Sequence, residues 1–165
     1  MSAARIDGLV LDVDGVLTDG KITYNSRGEE SKNFHVRDGS SIKLLLKSGI
    51  DIAILSGRNS QSVERRAEEL GITKIVLGAE SKLNGFQKLR EKGFASQDIL
   101  AIGDDIADLE LFCHPDISLS ATVEDAAEFI KSKVDFVTEK AGGNGIMFEI
   151  AELILTSKGL WPYEN

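Results

Sequence analysis

Cysteine, histidine and proline are all scarce in this chain, and each shortage removes a class of explanation. A single cysteine, Cys113, can form no internal disulfide, and together with only two histidines, His35 and His114, it supplies no zinc-type ligand cluster. A reducing compartment is therefore expected, with the cytoplasm as the default. Two prolines, Pro115 and Pro162, leave no proline-rich linker, and no internal repeat or low-complexity tract divides the chain. No apolar run nears the roughly 20 residues that cross a bilayer, and Met1 to Arg5 lack the apolar core of a signal peptide, so no membrane partner is expected. Positive charge is short as well. Nineteen Lys and Arg against 27 Asp and Glu give a net charge of -8, which argues against nucleic acid. A small anion stays open as a ligand, provided the few basic residues gather with backbone amides or a metal ion.

What is present is enough apolar material, 42% of 165 residues, for one domain with a full core spanning 1–165. Short β-rich runs alternate with helical patterns throughout, the signature of β-α-β units on a parallel sheet. Strands are predicted near 6–13, 50–55, 74–77, 98–102, 116–119 and 134–137. Helices are predicted for Ser40 to Lys47, Ser60 to Leu70, Lys82 to Glu91, Asp105 to Phe112, Val123 to Ile130 and Ile146 to Thr156, where apolar residues recur at three-to-four spacing. Gly49, Gly71 and Gly93 follow three of them as expected left-handed C-caps. One stretch breaks the alternation: Lys21 to Tyr24 and Glu30 to Val36 read as a hairpin closed by Asn25-Ser26-Arg27-Gly28. Too small for a core of its own, it fits an edge decoration, a flap over a site or a subunit contact.

The chemistry begins at Asp12-Val13-Asp14-Gly15, directly after an apolar strand. Side chains two apart on a strand point the same way, so Asp12 and Asp14 leave its end as a converging acidic pair. Without a cation such a pair is costly: one carboxyl keeps its proton or a hard metal such as Mg²⁺ neutralises both. In an open parallel sheet, ligands sit beyond the carboxyl ends of the strands. The residues predicted on that rim are Asp12 and Asp14, then Ser56-Gly57-Arg58, then Lys82 near a helix start, then Gly103-Asp104-Asp105 followed by Asp108. Each fragment has an ordinary reading as a turn former, a loop, a solvated lysine or a helix cap. Their joint order is what points to a phosphoryl-transfer or metal site.

That order closely resembles the haloacid dehalogenase-like superfamily of phosphohydrolases over nearly the whole chain. The resemblance sharpens to the cap-less branch at LDVDGVLTDG (11–20), NFHVRDG (33–39), SGR (56–58), ESKL (80–83), GDDIAD (103–108) and AGGNG (141–145). It implies an α/β, Rossmann-like three-layer sandwich with a mostly parallel sheet and a β-hairpin inserted after the first strand. It implies Asp12 as the nucleophile, Asp14 as general acid and base, and Mg²⁺ held by Asp12, the Asp14 main-chain carbonyl and Asp104, with Asp105 and Asp108 behind them. Ser56 and the Gly57 amide would receive phosphoryl oxygens, and Lys82 would stabilise the transferring group. The implied substrate is a small phosphorylated sugar acid, 3-deoxy-D-manno-octulosonate 8-phosphate of lipopolysaccharide synthesis, with a nine-carbon ulosonate 9-phosphate or another small sugar phosphate as alternative.

A substrate with both a phosphate and a carboxylate calls for two anion grips. The segment Arg37-Asp38-Gly39 opens a helix whose free amides can take an anion, and Lys43, Arg58 and Arg66 could add positive charge. Arg58 favours the eight-carbon acid, since nine-carbon relatives look to place an acidic residue there. The sequence departs from the branch at His35, where Asn is common, and at Asn144, where Arg is common; His35 and His114 receive no catalytic role. The tail Gly159 to Tyr163 carries two aromatics that call for a burial partner, and in the resembling branch tetramers form through the hairpin, so a homotetramer is expected. A signalling receiver domain fits poorly, because its phosphoaccepting Asp ends a middle strand. A catalytically dead relative fits poorly too, because no core residue is missing.

Overall fold

The computed structural model describes residues 3–163; Met1 and Ser2 of the N-terminal segment and Glu164 and Asn165 of the tail lie outside the described residues. Six parallel strands form one sheet in the order β5-β4-β1-β6-β7-β8, with β1 Gly8–Leu11, β4 Asp51–Leu55, β5 Lys74–Val76, β6 Ile99–Ile102, β7 Ile117–Thr122 and β8 Phe136–Val137. Strands β2 (Thr23–Tyr24) and β3 (Glu30–Ser31) pair separately as an antiparallel hairpin after β1. Central β1 is buried along its whole length, which is why it reads as an unbroken apolar run rather than an alternating one. Its side chains still divide by face. Leu9 and Leu11 enter the larger core with Ile42 and Leu45 of α1 (Val36–Lys47), Val63 and Ala67 of α2 (Gln61–Leu70), and Ile150 and Ile154 of α6 (Met147–Ser157). Val10 enters the other, with Phe86 and Leu89 of α3 (Lys82–Glu91), Phe94, and Leu111 of α4 (Leu109–Phe112). Two helical layers on one sheet are the expected sandwich. No helix among the described residues is long and apolar enough to cross a membrane.

Several predicted boundaries move, each for a local reason. Helix α1 starts at Val36 rather than Ser40, because the His35 imidazole accepts the Arg37 amide and supplies the N-cap. The run expected as one helix from Asp105 opens as a 3₁₀ turn over Ile106–Asp108, since the Asp108 carboxylate accepts the Asp104 and Asp105 amides and tightens the entry. The helix predicted from Val123 shrinks to α5, Glu128–Lys131, because Glu124 and Asp125 bond instead to the glycine-rich loop, through Lys140 O and Gly142 N. Hairpin strands are shorter than expected. Asn25 organises the turn by accepting the Arg27 and Glu29 amides, with Gly28 at φ +77°. Of the two tail aromatics, Trp161 meets Phe148 of α6 edge-on at 5.5 Å, while Tyr163 meets the Trp161 ring at 5.4 Å and stays 71% exposed.

The glycine-rich loop of residues 141–145 closes on the segment after β1. Gly143 N donates to Val16 O, and a Cβ on Gly142 would stand 1.8 Å from Gly15 O. Gly142→Ala should therefore displace one backbone segment from another. Its expected cost is about 1–3 kcal/mol in urea unfolding, with a large loss of activity. Gly28→Ala, in open space, should cost only the left-handed strain of about 1 kcal/mol and leave activity intact.

Candidate active site

Register assembles the site. Leu11 of β1 stands level with Ile54 of β4 and Ile102 of β6, so β1 and β6 end together and β4 runs one residue further before releasing Ser56 beside them. Asp12 keeps the ladder for one more step, its amide donating to Ile102 O at 3.0 Å. The chain then turns sharply. Val13 O accepts the amides of Leu17 and Thr18, and Thr18 Oγ1 accepts those of Gly15 and Gly20. Gly15 sits at φ +88°, and a Cβ there would be 2.0 Å from an Asp104 carboxylate oxygen. The glycine after the acidic pair is thus what lets Asp104 approach.

Ser56 is 2% exposed, held by Val76 O and Ala79 N on its backbone, with its hydroxyl accepting the Arg58 amide at 3.2 Å. Lys82 opens α3 and reaches across the rim. Its Nζ lies 2.9 Å from Asp12 Oδ1, 2.8 Å from Asp108 Oδ1 and 3.2 Å from Leu55 O. The Glu110 carboxylate accepts the Lys82 and Leu83 amides at 2.6 and 3.3 Å, fixing the helix start that carries this lysine. Asp12, Asp14, Gly20, Ser56, Gly57, Arg58, Lys82, Asp104, Asp105, Ala107 and Asp108 line one cleft of about 290 Å³. A larger groove of about 600 Å³ between β8 and α6 carries Glu139, Glu149 and Glu152 with no basic side chain, so size is no guide to the chemistry here.

Carboxylate oxygens of Asp12, Asp104 and Asp108 come within 4.8 Å of one another. Against these three acids stands one ammonium, Lys82, which leaves two negative charges uncompensated when all are ionised. The consequence is visible in proton affinity. Burial, with the Asp108 charge and against the pull of Lys82, raises the Asp12 pKa to about 6. Burial and the charges of Asp12, Asp108 and Asp105 raise Asp104 to about 7. For Lys82 burial opposes the charged form, but the two aspartates outweigh it and its pKa rises. An all-oxygen, doubly negative cluster suits a hard divalent cation.

The rim residues predicted from sequence stand together here, with differences in detail. Asp14 lines the cleft, but its carboxylate turns from the acidic cluster to the Lys32 ammonium. Asp108, expected behind the metal ligands, joins the cluster, while the Asp105 carboxylate caps its own 3₁₀ turn by accepting Ile106 N. Of the residues predicted to bind substrate, Gly57 and Arg58 line the cleft, and the Arg58 guanidinium pairs with Glu30 and donates to Tyr24 Oη at 3.3 Å. Arg37, Asp38, Gly39, Lys43 and Arg66 do not line it. His35 already caps the α1 terminus expected to take an anion. Asp38 is 3% exposed and accepts the Met147 amide at 2.8 Å, serving the start of α6. Gly39 is a close-packing position, where a Cβ would be 2.5 Å from the Arg66 guanidinium. Arg66 bonds His35 O, pairs with Glu69 and lies over Phe34. Lys43 is exposed on α1.

Sequence reasoning missed Tyr24, Glu30, Lys32 and Glu110. Glu30 and Lys32 did carry a signal, since charges two apart on a predicted strand share one face. Glu110, on a helix remote in sequence from Lys82, carried none.

Comparison with known proteins gives the family. Residues 74–150 match the haloacid dehalogenase-like hydrolases. The 3-deoxy-D-manno-octulosonate 8-phosphate phosphatase of Escherichia coli K12 is 41% identical over 158 residues, covering 95% of this chain and 83% of that protein. Its Haemophilus influenzae counterpart is 40% identical over 156 residues, covering 94% and 86%. Among solved structures, the Moraxella catarrhalis phosphatase of the same name, in complex with magnesium, phosphate and KDO, superposes with a TM-score of 0.87 at 40% identity, covering 95% of this chain and 90% of that one. The cobalt-bound Haemophilus influenzae enzyme gives 0.87 at 39%, covering 96% and 92%. With these relatives along nearly its full length, the chain belongs to the haloacid dehalogenase-like hydrolases, in the family of the 3-deoxy-D-manno-octulosonate 8-phosphate phosphatases.

Proposed function

We propose that this protein is a Mg²⁺-dependent phosphomonoesterase that converts 3-deoxy-D-manno-octulosonate 8-phosphate to the free sugar acid and phosphate, in the cytoplasm and as a homotetramer. The observation that carries the reading is the Asp12 carboxylate at the end of β1, 2.9 Å from Lys82 and inside an acidic cluster with Asp104 and Asp108. In the first half-reaction an Asp12 oxygen bonds to phosphorus and the bond from phosphorus to the ester oxygen breaks. That oxygen keeps the electron pair and takes a proton from Asp14. In the second, water loses a proton to Asp14 and its oxygen bonds to phosphorus, releasing the Asp12 carboxylate. Ser56 and the Gly57 amide receive phosphoryl oxygens, and Lys82 balances charge on the group in transit. Asp12, Asp104 and the Asp14 carbonyl would hold Mg²⁺, which when bound neutralises the repulsion between two anions that must meet. Arg58 at the cleft rim is the candidate grip for the substrate's carboxylate, and it favours the eight-carbon acid.

Asp12→Asn keeps size and removes the attacking charge, and Lys82 retains Asp108 as partner. Folding should be unchanged by circular dichroism, while phosphate release falls about 10⁴-fold or more. A panel of ulosonate, hexose and nucleotide phosphates should show the eight-carbon ulosonate turned over fastest, and only with Mg²⁺ present. Faster turnover of the nine-carbon 9-phosphate would overturn the assignment.

Metal binding should be linked to protons. In the metal-free protein Asp12 and Asp104 titrate at about 6 and about 7, both above the ordinary 3.8. The folded state therefore holds more protons than the unfolded one between these limits, and its stability from these groups falls as pH rises from about 4 to about 7. Mg²⁺ should raise the melting temperature more at pH 8 than at pH 5.5. Calorimetry in buffers of different ionisation enthalpy should find protons released on binding at pH 6 and almost none at pH 8.

For assembly, the hairpin exposes Ile22 and Tyr24, 48% and 60%, and the tail exposes Leu160 and Tyr163. Light scattering at assay concentrations should report four chains; a stable monomer would refute the tetramer while leaving the chemistry standing.

A further inference from the structure

One charged side chain near the cleft has no part in the reaction as set out above. Lys32, just past β3, donates to Asp14 Oδ1 and stands 3.1 Å from Glu30 Oε1. Its side chain is 2% exposed, more deeply buried than either acid it meets. A buried ammonium is costly unless paired, and burial does oppose its charged form; the hydrogen bond to Asp14 and the nearby carboxylate of Glu30 outweigh that and raise its pKa. Glu30 in turn holds Arg58, and Arg58 donates to Tyr24 Oη, so a chain of polar contacts runs from Asp14 through the hairpin to the cleft rim. Among the described residues, the Lys32 ammonium is the only group hydrogen-bonded to the Asp14 carboxylate. Lys32 itself does not line the cleft, so whatever it does there passes through Asp14 or, by way of Glu30, through Arg58; the second route would show in substrate binding, the first in proton transfer.

We infer that Lys32 is a positioning residue for proton transfer: by engaging Oδ1 it fixes the side-chain orientation of Asp14 and leaves Oδ2 as the oxygen that gives the proton to the leaving group and takes one from water. The inserted hairpin thereby contributes to the reaction within its own chain. The inference rests on the phosphatase reading and concerns orientation alone.

Leaving-group chemistry tests it. Release of p-nitrophenolate needs no proton donor, whereas release of the sugar alkoxide does. In Lys32→Met, with Mg²⁺ present, the first turnover of p-nitrophenyl phosphate should stay within about threefold of the unsubstituted protein and appear as a burst, because hydrolysis of the aspartyl phosphate then slows. The first turnover of 3-deoxy-D-manno-octulosonate 8-phosphate should fall about 10²-fold, with KM little changed. Lys32→Arg should recover part of the loss. In an Asp14→Asn background, adding Lys32→Met should change the first turnover by less than about twofold, since a residue acting through Asp14 has nothing left to act on. Equal losses on both substrates, or a full additional loss on top of Asp14→Asn, would mark Lys32 as a general structural latch and overturn the inference alone. If the unsubstituted protein released phosphate from neither substrate, the phosphatase reading would fall and this inference with it.

Discussion

Repulsion among Asp12, Asp104 and Asp108 is the constraint around which the rest of the molecule is arranged. Three buried or half-buried carboxylates with one ammonium between them would part if their backbones were free to move. They are not free. Asp12 is anchored by the ladder to β6, and the amides of Asp104 and Asp105 both donate to Asp108. The parallel register of β4, β1 and β6 then holds Ser56 across from them, and Glu110 holds the start of the helix that carries Lys82. Such a cluster lowers the stability of the metal-free fold locally, and the two apolar layers against the sheet have to offset it. In the proposed reaction that strain supplies affinity for a cation and for a phosphoryl group brought with it, at the place where the proposed attacking anion, Asp12, is already fixed.

The parts of this arrangement that were legible in the sequence are those that rest on local pattern. An apolar run followed by Asp-Val-Asp-Gly marks a buried strand ending in paired acids, and the later strand ends could be aligned with it by topology alone. Several of the residues that the sequence placed at the site and the cleft lining leaves out are ones whose partners are distant. Arg37-Asp38-Gly39 has the composition of an anion-binding helix start, yet Asp38 answers to Met147, more than a hundred positions away, and Gly39 answers to Arg66. Helix α1 begins at Val36, ahead of the Ser40 start that apolar spacing suggested, because His35 supplies the cap. Helix α5 is short for the same kind of reason: Asp125 bonds to Gly142 rather than continuing the helical run.

The hairpin shows how a short insertion can act without a core of its own. Two residues of pairing on each side give it little intrinsic stability. Its attachment is ionic instead, through Lys32 to Asp14 and Glu30 to Arg58. Both anchor points, Asp14 and Arg58, line the cleft, so the attachment and the active site share residues. A change that loosens the hairpin therefore reaches the proposed general acid and the candidate carboxylate grip together. Eighteen positions separate Lys32 from Asp14, and only the fold brings them into contact.

Close approach in the site depends as much on missing atoms as on present ones. A Cβ on Gly15 would collide with the Asp104 carboxylate, one on Gly103 would stand 2.1 Å from Asp108 Cγ, and one on Gly142 would strike the Gly15 carbonyl. These glycines lie on three different segments, after β1, after β6 and before α6, and they stack toward the same point. Each gives up backbone stability in the unfolded-to-folded balance so that an acid or a peptide plane can come nearer than any side chain would allow. Replacing a charged residue here removes one function, whereas filling one of these gaps pushes apart the segments whose proximity makes the charges useful. The spacing of the acids is therefore set by the glycines around them, and the affinity of the cluster for a cation follows from that spacing.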